Sequence, residues 1–368
     1  MKQLIKSVGS PKFTIILHTY NRPGFLRQST SAVLEQTYDN LEIILINNGA
    51  TVETRELLHE LESKDKRIRL LHFKENQYSP SDPHKIISVC YNSALAMSTG
   101  NYIWASDDDD ILAMDYIEKM VTLFQGNADC SSASGLVKSI DAKGDIIEGP
   151  KYRASNYRPR YMPGHILALD ALKGSSVMYG YPGQIFSFKR DTLLKYGRFH
   201  KAYEYHHLYG IVPFGITGFD ETAYFYWRRN EGQLNKILSN QGWIGTKEVF
   251  SLVNDLNFED NWKIYGHDTA KHVVKKIKDD QAENAAYWFA LNLFSLRIKA
   301  SMTTLRDIWF YPKFWLCLPK ALLQTRSFLK QWYLLSRPIL KPLLNHINRN
   351  YPELKNKSVF FNKLIKHL

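Results

Sequence analysis

Cysteine is scarce in this chain, and its few copies are far apart. Cys90, Cys130 and Cys317 are odd in number and form no Cys-x-x-Cys pair. This spacing excludes a metal site built on paired cysteines and argues against a framework of disulfides. We therefore expect free thiols and a reducing compartment.

Long apolar runs are also absent. The opening residues Met1–Lys6 lack the continuous apolar stretch of a signal peptide. No window offers the roughly 18 uninterrupted apolar residues that a membrane-spanning helix needs. We expect a cytoplasmic protein that does not cross a membrane.

Acidic residues are scarce only near the end of the chain. From Ser301 to Leu368, twelve Lys and Arg residues stand against two acids, Asp307 and Glu353, so this segment carries +10 of the net charge of +12. The first 300 residues are nearly neutral. The 368 residues, 44% hydrophobic and 23% charged, are typical of one large globular domain with an appendage.

Strand and helix patterns alternate in the first third of the chain. Strands are expected over Phe13–Leu17, Leu41–Ile46, Ile68–Phe73 and Tyr102–Ala105, with helices between them, one of which covers Ile86–Met97. This alternation predicts βαβ units and a largely parallel sheet. Ligands bind such sheets beyond the carboxyl ends of the strands.

Four consecutive aspartates, Asp107 to Asp110, follow the last of these strands. Adjacent carboxylates repel one another, and a neighbouring apolar strand strengthens that repulsion. A hard divalent cation among the oxygens relieves it, and Mg²⁺ or Mn²⁺ prefers such ligands. The alternative is a solvated acidic turn in which Asp110 caps the helix through Asp115 and Met120.

Several motifs, taken in order and spacing, resemble an inverting glycosyltransferase of family two with the GT-A fold. The resemblance covers roughly residues 11 to 235. The motifs are His18-Thr19-Tyr20-Asn21-Arg22-Pro23, Leu34-Glu35-Gln36-Thr37-Tyr38, Glu42 to Gly49, Gly100 to Asp110, Tyr196-Gly197-Arg198-Phe199 with Glu204, and Tyr226 to Gly232.

The resemblance implies a nucleotide-sugar donor and a divalent cation, Mn²⁺ or Mg²⁺. Asp107 and Asp109 match the metal-binding DxD element, with Asp109 the direct ligand and Asp107 nearer the ribose or a metal-bound water. The implied donor contacts are Thr19, Asn21, Arg22, Asn48, Asp107, Asp108, Arg228 and Arg229. Asn48 stands where the family commonly has an aspartate, and Asn230 replaces a frequent histidine, which puts a third protein ligand to the metal in doubt.

The resemblance also implies a general base a few residues after the Gly-x-Phe element. Glu204 fits, although Tyr205 replaces a second acid, and the helix-spaced Leu208, Ile211 and Val212 follow it. A carboxylate suits the role because it accepts the acceptor hydroxyl's proton as the new bond forms. The acidic pair Asp220-Glu221 is the alternative candidate for the base.

The expected organisation is an α/β GT-A domain over residues 11–235, a Rossmann-like, mostly parallel sheet flanked by helices. Its nucleotide-binding half covers residues 11–130 and its acceptor half 131–235. A helical extension over 236–300 and a basic aromatic tail over 301–368 follow. Aromatic and aliphatic residues mixed with cations favour an anionic membrane surface as the partner of the tail. A nucleic-acid partner, a helical cap on the body and a dimer contact are the alternatives.

We therefore expect a metal-dependent hexosyltransferase that moves a sugar, most readily from a UDP-sugar, to a cell-surface glycan or glycolipid. It would act as a peripheral protein at the inner face of the cell membrane, without a nucleic-acid partner. One alternative is an inactive nucleotide-sugar-binding or scaffold protein on the same fold. A nucleotidyltransferase is the other, but the Gly-rich basic loop that it needs after the first strand is absent from His18-Thr19-Tyr20-Asn21.

Overall fold

A computed structural model describes residues 10–147, 159–173, 186–230, 245–295 and 297–325. The chain divides into two compact units, Met1–Lys236 with Lys247–Lys278, and Ile237–Thr246 with Asp279–Leu368. The first unit holds the α/β domain and, beyond residue 235, the helices up to residue 278. Residues 231 and 232 of the last motif and residues 326–368 of the tail lie outside the described residues.

Four parallel strands form one half of the sheet, as the sequence predicts. They are β1 (Phe13–Thr19), β2 (Leu41–Asn48), β3 (Ile68–Phe73) and β4 (Tyr102–Asp107), paired in the order β3-β2-β1-β4. The helices α1 (Pro23–Leu34), α2 (Val52–Lys64) and α3 (Asn92–Met97) connect them. Every residue of β1 and β2 is buried, as in strands that helices cover on both faces.

The other strands make the sheet mixed. They are β5 (Ile111–Leu112), β6 (Cys130–Ile140), β7 (Ile146–Ile147), β8 (Tyr161–Pro163), β9 (Phe186–Lys189) and β10 (Ile216–Arg228). The sheet continues from β4 in the order β4-β9-β6-β10-β5, and in addition β7 pairs with β6 and β8 pairs with β10. β9 runs antiparallel to both β4 and β6, whereas β10 runs parallel to β6. The helices α4 (Tyr116–Gly126), α5 (Gly164–Leu172) and α6 (Arg190–Lys195) complete this half. The predicted α/β fold is confirmed.

Two helices predicted from the sequence differ in type from the structure. The one expected over Ile86–Met97 begins as a π-helix, Ile87–Tyr91, before α3. The one expected after Glu204 is a single turn, α7 (Tyr203–Tyr205), followed by a π-helix, His206–Ile211, and a 3₁₀ turn. Pro213 lacks an N–H and cannot continue regular helical hydrogen bonding there. Such π segments occur frequently at functional sites.

Helices after residue 245 support the segment that follows Glu204. The helices Thr246–Val253, Leu256–Trp262 and the start of His267–Phe294 pack with α5 in a second apolar cluster. The indole N–H of Trp262 donates to the carbonyl of Tyr209 at 2.9 Å, and the Tyr265 hydroxyl donates to Pro213 O at 2.6 Å. These contacts hold the irregular π and 3₁₀ turns in place.

The second unit is helical in its described part. The last turns of His267–Phe294 pack against the helix Ile298–Ile308 and a helix over residues 312–325. The rings of Phe289 and Phe314 lie 5.9 Å apart, and the Tyr311 hydroxyl donates to Asp279 at 2.8 Å. Among the described residues, no helix has both the length and the apolar composition that crossing a bilayer requires.

Candidate active site

The four aspartates, called here the acid cluster, lie where β4 ends and turns into β5. Asp107 is the last residue of β4 and pairs in register with His18 of β1. Asp110 does not cap α4, whose N-cap is Asp115. Its carboxylate instead accepts from the Ser106 hydroxyl at 3.1 Å and from the backbone N–H of Arg228 at 3.0 Å. The capping alternative for Asp110 is therefore wrong.

Arg22 supplies the positive charge of the cluster. Its guanidinium contacts Asp108 Oδ1 at 2.5 Å and Asp109 Oδ2 at 2.7 Å. Burial acts to lower the pKa of Arg22, but the charges of the neighbouring aspartates outweigh it and raise the pKa above its usual value. The loop after β1, predicted to contact the nucleotide, thus contacts the acid cluster directly.

The four carboxylates differ in burial and in acidity. The Asp107 side chain is 41% exposed, whereas Asp108 is fully buried. Burial acts to raise the pKa of Asp107, but the hydrogen bond and charge of His18, with Arg22, hold that pKa below its ordinary value. Burial raises the pKa of Asp108 to about 6 and that of Asp110 well above the ordinary range. Asp107 is therefore the carboxylate that is both ionised and open to solvent.

Two side chains that the sequence reasoning did not assign to the site hold Asp107 in place. The buried Tyr91 donates its hydroxyl to Asp107 Oδ1 at 2.8 Å, and His18 Nδ1 lies 3.4 Å from the same oxygen. Thr19, one residue further along β1, donates its hydroxyl to Asp108. A β1 residue in register with Asp107 could have been inferred from the parallel pairing of β1 and β4, but Tyr91 comes from a π-helix and gave no local signal.

The carboxylate oxygens of the acid cluster are the type of ligand that a hard divalent cation prefers. Across the described ranges, no group of three or more His, Cys, Asp or Glu side chains forms a ready-made metal site. Mg²⁺, however, is usually bound by one or two carboxylates, and waters and phosphate oxygens complete its shell. Asp107 and Asp109 supply that minimum, and Asp107 is solvent-accessible. Asn230, which replaces a frequent histidine of the family, donates its side-chain amide to Asp109 Oδ2 at 3.0 Å. This residue therefore contacts the acid cluster by a hydrogen bond.

Asn21 and Asn48 stand at the carboxyl ends of β1 and β2 but bind their own loops. The Asn21 side-chain oxygen accepts from the backbone N–H of Thr51 at 2.8 Å. Asn48 is 1% exposed, donates to Asn76 Oδ1 at 2.9 Å and accepts from the N–H of Gln77 at 2.8 Å. In this structure, both side chains fix the loops at the edge of the sheet.

The two arginines at the end of β10 have different surroundings. Arg228 is fully buried and donates through Nε to the carbonyl of Asp109 at 2.7 Å, and through its other nitrogens to Gln28 and to carbonyls of the β6–β7 turn. The guanidinium of Arg229 stacks over Trp227 at 3.6 Å and is half-buried. Arg228 therefore points inward and holds the backbone of the acid cluster, whereas Arg229 lies partly at the surface.

Glu204 lies in the single turn α7, near the acid cluster. The preceding Tyr203 donates its hydroxyl to the carbonyl of Ala105 in β4 at 3.3 Å. Burial, followed by the charges of Asp107 and Glu204, raises the pKa of Tyr203 well above its usual value, so both carboxylates lie within electrostatic reach of one phenol. Burial also raises the pKa of Glu204 to about 7. The residue is nevertheless exposed to solvent, so its carboxylate is accessible to an acceptor.

A connecting segment, residues 76–92, links the end of β2 to the residues before Glu204. At one end, Asn76 accepts a hydrogen bond from the Asn48 side chain, and the backbone N–H of Gln77 donates one to it. At the other, Asp82 forms an ion pair with Lys201, and His84 Nδ1 lies 2.8 Å from the carbonyl of Lys201. The side chain of Asn92 binds both the N–H and the C=O of Phe199 at 2.9 Å. The segment that carries Glu204 is thereby joined to the nucleotide-binding half.

The two acids that are the alternative candidates for the general base lie in different surroundings from Glu204. Asp220 and Glu221 occupy an irregular stretch of β10, between Phe219 and Tyr224, where the pairing with β6 shifts register. Asp220 accepts from the hydroxyl and N–H of Thr222 and lies 3.6 Å from Arg160. Its hydrogen bonds are those of a turn within the strand.

Comparison with known proteins agrees with the fold and the motifs. Residues 14–189 match the Glycosyl transferase family 2 model. An "Uncharacterized glycosyltransferase" of Haemophilus influenzae is 32% identical over 146 residues, 40% of this chain and 43% of that protein. The "Putative teichuronic acid biosynthesis glycosyltransferase TuaG" of Bacillus subtilis is 26% identical over 34% of this chain and 46% of that protein. The chain thus spans less than half the length of these curated relatives.

Solved structures show the same fold. The crystal structure of S. aureus TarS in complex with UDP-GlcNAc superimposes with a TM-score of 0.57 at 15% sequence identity, over 80% of each chain. The resemblance drawn from the motifs is therefore confirmed at two levels: residues 14–189 match family 2 glycosyltransferases in sequence, and the structure has the GT-A fold.

Proposed function

We propose that this protein is an inverting glycosyltransferase that transfers a sugar from a nucleoside-diphosphate sugar to a hydroxyl group. The observation that carries the proposal is the convergence of two carboxylate sites on one edge of a GT-A sheet. The acid cluster with Arg22 forms one, and Glu204, held by contacts to β4 and to the connecting segment, forms the other. One site is suited to a diphosphate and the other to an acceptor hydroxyl.

Asp107 and Asp109 would hold the cation, Mn²⁺ or Mg²⁺. When bound, such a cation stabilises the negative charge on the diphosphate leaving group. The exposure of Asp107 and its lowered pKa support this role. Tyr91, His18 and Asn230 orient the two carboxylates, while Asp110, buried and bound to Arg228 N–H, supports the turn.

Of the residues expected to contact the donor, direct contacts are proposed for Thr19, Asn21, Arg22, Asp107, Asp108 and Arg229. In the structure the guanidinium of Arg22 contacts the carboxylates of Asp108 and Asp109, and Arg229 is the partly exposed member of the arginine pair. Guanidinium groups pair well with phosphate oxygens. Asn48 and Arg228 are buried, and we propose that they act by holding the loop at Asn76 and the backbone of the cluster. UDP-sugars are the first donors to test, since TarS was solved with UDP-GlcNAc.

Glu204 is proposed as the general base. Its ionised carboxylate takes the proton of the acceptor hydroxyl as that oxygen bonds to the anomeric carbon, and the bond from that carbon to the diphosphate oxygen breaks on the opposite side. The raised pKa of Glu204 supports the role, because a base whose pKa lies near the working pH accepts a proton more readily than an ordinary carboxylate.

The acceptor is proposed to be a cell-surface glycan or a glycolipid, and the place of action the inner face of the cell membrane. The name of the TuaG relative refers to teichuronic acid biosynthesis. The basic segment from Ser301 onwards, +10 in net charge, suits an anionic membrane.

Thermal unfolding of the purified chain with nucleotide sugars tests the donor site. We expect Mn²⁺ and one nucleotide sugar together to raise the melting temperature, corresponding to about 2.7 kcal/mol at a hundredfold excess over the dissociation constant. Asp107→Asn and Asp109→Asn should abolish the metal-dependent part. Asp115→Asn, which changes an acid outside the cluster that pairs with Lys119, is the matched control.

Release of the nucleoside diphosphate in the presence of acceptor then tests turnover. Binding without turnover, unchanged by substitution of Glu204, would favour a binding or scaffold protein. A metal-dependent shift with nucleoside triphosphates alone would favour a nucleotidyltransferase. No shift with any nucleotide would contradict the proposed donor site.

A further inference from the structure

Two helices of the second unit have one face buried and a second apolar face left open. In Ile298–Ile308, the buried side is formed by Ala300, Ser301, Thr304 and Ile308. In the helix over residues 312–325, the buried positions are Phe314, Ala321 and Thr325. Packing against the rest of the unit therefore uses one face of each helix, and the residues on the other faces are not needed for it.

The open faces carry large apolar side chains. On the first helix, Ile298 and Met302 are 51% and 48% exposed, and Trp309, eleven residues after Ile298, is 61% exposed. These spacings place them along one stripe. On the second helix, Leu316 and Leu323 are 76% and 69% exposed. Seven of the sixteen exposed large apolar residues in the described ranges lie between residues 298 and 323, so they form a concentrated surface, called here the apolar patch: Ile298, Met302, Trp309, Phe310, Trp315, Leu316 and Leu323.

The aromatic residues of the patch are held in a defined arrangement. The indole N–H of Trp315 donates to the carbonyl of Trp309 at 2.8 Å across the turn between the helices. Trp315 also lies edge-on to the buried Phe314, with ring centroids 5.1 Å apart. Trp315 is nevertheless 49% exposed and Phe310 54% exposed. Fixed aromatic rings at an open surface are suited to a medium that accepts both their apolar rings and their polar edges.

Cations recur among the apolar residues at a constant interval. Lys299, Arg306, Lys313 and Lys320 are seven residues apart in sequence. Arg306 pairs with Asp307 at 2.9 Å and Lys320 with Glu283 at 3.4 Å. Exposed pairs of this kind contribute little, so these cations stay available to another partner. The surface is therefore both apolar and basic.

We propose that the apolar patch and its cations dock this protein on an anionic lipid bilayer. An amphipathic helix with aromatic and aliphatic side chains beside Lys and Arg lies in the interface of a bilayer, where the lysine stems reach the headgroups. Charge complementarity favours acidic lipids over another copy of the same basic surface. The inference extends the membrane location in the proposed function, and it is independent of the chemistry of the acid cluster.

Co-sedimentation of the full chain with vesicles tests the inference. We expect binding to vesicles of phosphatidylglycerol with phosphatidylcholine, weaker binding to phosphatidylcholine alone, and a blue shift of tryptophan emission on binding. Lys313→Gln with Lys320→Gln should weaken binding about 25-fold, at about fivefold per cation near the surface. High salt should reduce the same difference.

The apolar contribution needs its own variants. Leu316→Ser with Leu323→Ser should weaken vesicle binding on the order of tenfold or more, because each leucine loses apolar area buried in the interface. Leu256→Ser with Ile264→Ser, which are 81% and 67% exposed in the first unit, are the matched control and should leave it unchanged. Melting temperatures should stay close to wild type in both pairs, since all four side chains are exposed.

Several results would overturn the inference. Equal vesicle binding by the patch variants and the wild type would exclude the patch. A dimer that dissociates on Leu316→Ser with Leu323→Ser, without vesicle binding, would assign the surface to a second copy. Salt-sensitive RNA binding without vesicle binding would assign the cations to nucleic acid. Vesicle binding by a chain that binds no nucleotide sugar would uphold the docking surface and contradict the proposed transferase.

Discussion

Replacing Glu204 with glutamine tests the proposed chemistry at a single atom. The amide keeps the size and hydrogen-bonding capacity of the side chain but cannot accept the acceptor proton. General base catalysis contributes about 10²- to 10⁴-fold, which corresponds to roughly 3–5 kcal/mol of the activation barrier. We expect kcat to fall by that factor. Donor affinity, measured by thermal unfolding with Mn²⁺ and the nucleotide sugar, should stay unchanged because Glu204 lies outside the acid cluster.

The pH dependence of the same variant follows from the raised pKa. The base works ionised, so the wild-type rate should rise with pH through about 7 and then level off, whereas the residual rate of Glu204→Gln should lack this rise. In the folded state the pKa of Glu204 lies above its ordinary value of 4.5. Its contribution to stability is therefore full below that value and is lost as pH rises through about 7. The variant should be more stable than wild type at pH 8 but not at pH 4.

The matched control is Glu221→Gln, which changes the exposed acid of the alternative pair in β10. It should keep the wild-type rate and pH profile. If Glu221→Gln loses turnover while Glu204→Gln keeps it, the base has been assigned to the wrong segment. Wild-type kcat in Glu204→Gln, with its rise through pH 7 intact, would refute the reasoning from the position and pKa of Glu204.

Three further tests ask how the site is held together. Arg22→Met removes the cation of the buried carboxylates and should lower the free energy of unfolding by about 3 kcal/mol in urea; an unchanged midpoint would contradict its role as their counter-charge. Asp82→Lys and Lys201→Asp should each lower kcat about two- to fivefold without changing donor affinity, because an ion pair of this exposure is worth up to about 1 kcal/mol. The double swap should restore kcat. Failure of this rescue would argue against positioning of Glu204 by the ion pair. Gly49→Ala should destabilise the fold by about 2 kcal/mol in thermal unfolding. The reason is that the φ angle of Gly49 is 66° and that a Cβ there would lie 2.4 Å from the backbone nitrogen of Asn76. Wild-type stability of the variant would exclude that close contact.

The parallel half of the sheet could be predicted because its signals are local. Short runs rich in apolar, β-branched residues and bounded by turn residues mark β1 and β2, and the structure extends each prediction by two residues, to Thr19 and Asn48. The acid cluster follows the same logic, since parallel strands bring their carboxyl ends to one edge. Fold class and the place of the site therefore follow from the order of elements.

The partners of the acid cluster could not be predicted in the same way. Tyr91 reaches Asp107 only because the chain forms a π-helix before α3, and no periodicity marks such a segment. Arg22 was expected to contact the nucleotide, and its ion pairs with Asp108 and Asp109 depend on how the β1 loop lies against β4. The internal hydrogen bonds of Asn48 are likewise long-range contacts, which residue type and spacing do not specify.

The position of Glu204 shows why long-range contacts decide the geometry of this site. A helix of three residues, Tyr203–Tyr205, cannot stabilise itself, because helix nucleation is unfavourable without further turns. Its place is fixed instead by the Tyr203 hydroxyl on β4 and by the Asn92 and Asp82 contacts before it. The connecting segment that provides the latter two contacts also binds Asn48 at the end of β2. Changes at the nucleotide end of that segment should therefore reach the proposed base through the connecting segment, and should alter kcat even where donor affinity is unchanged.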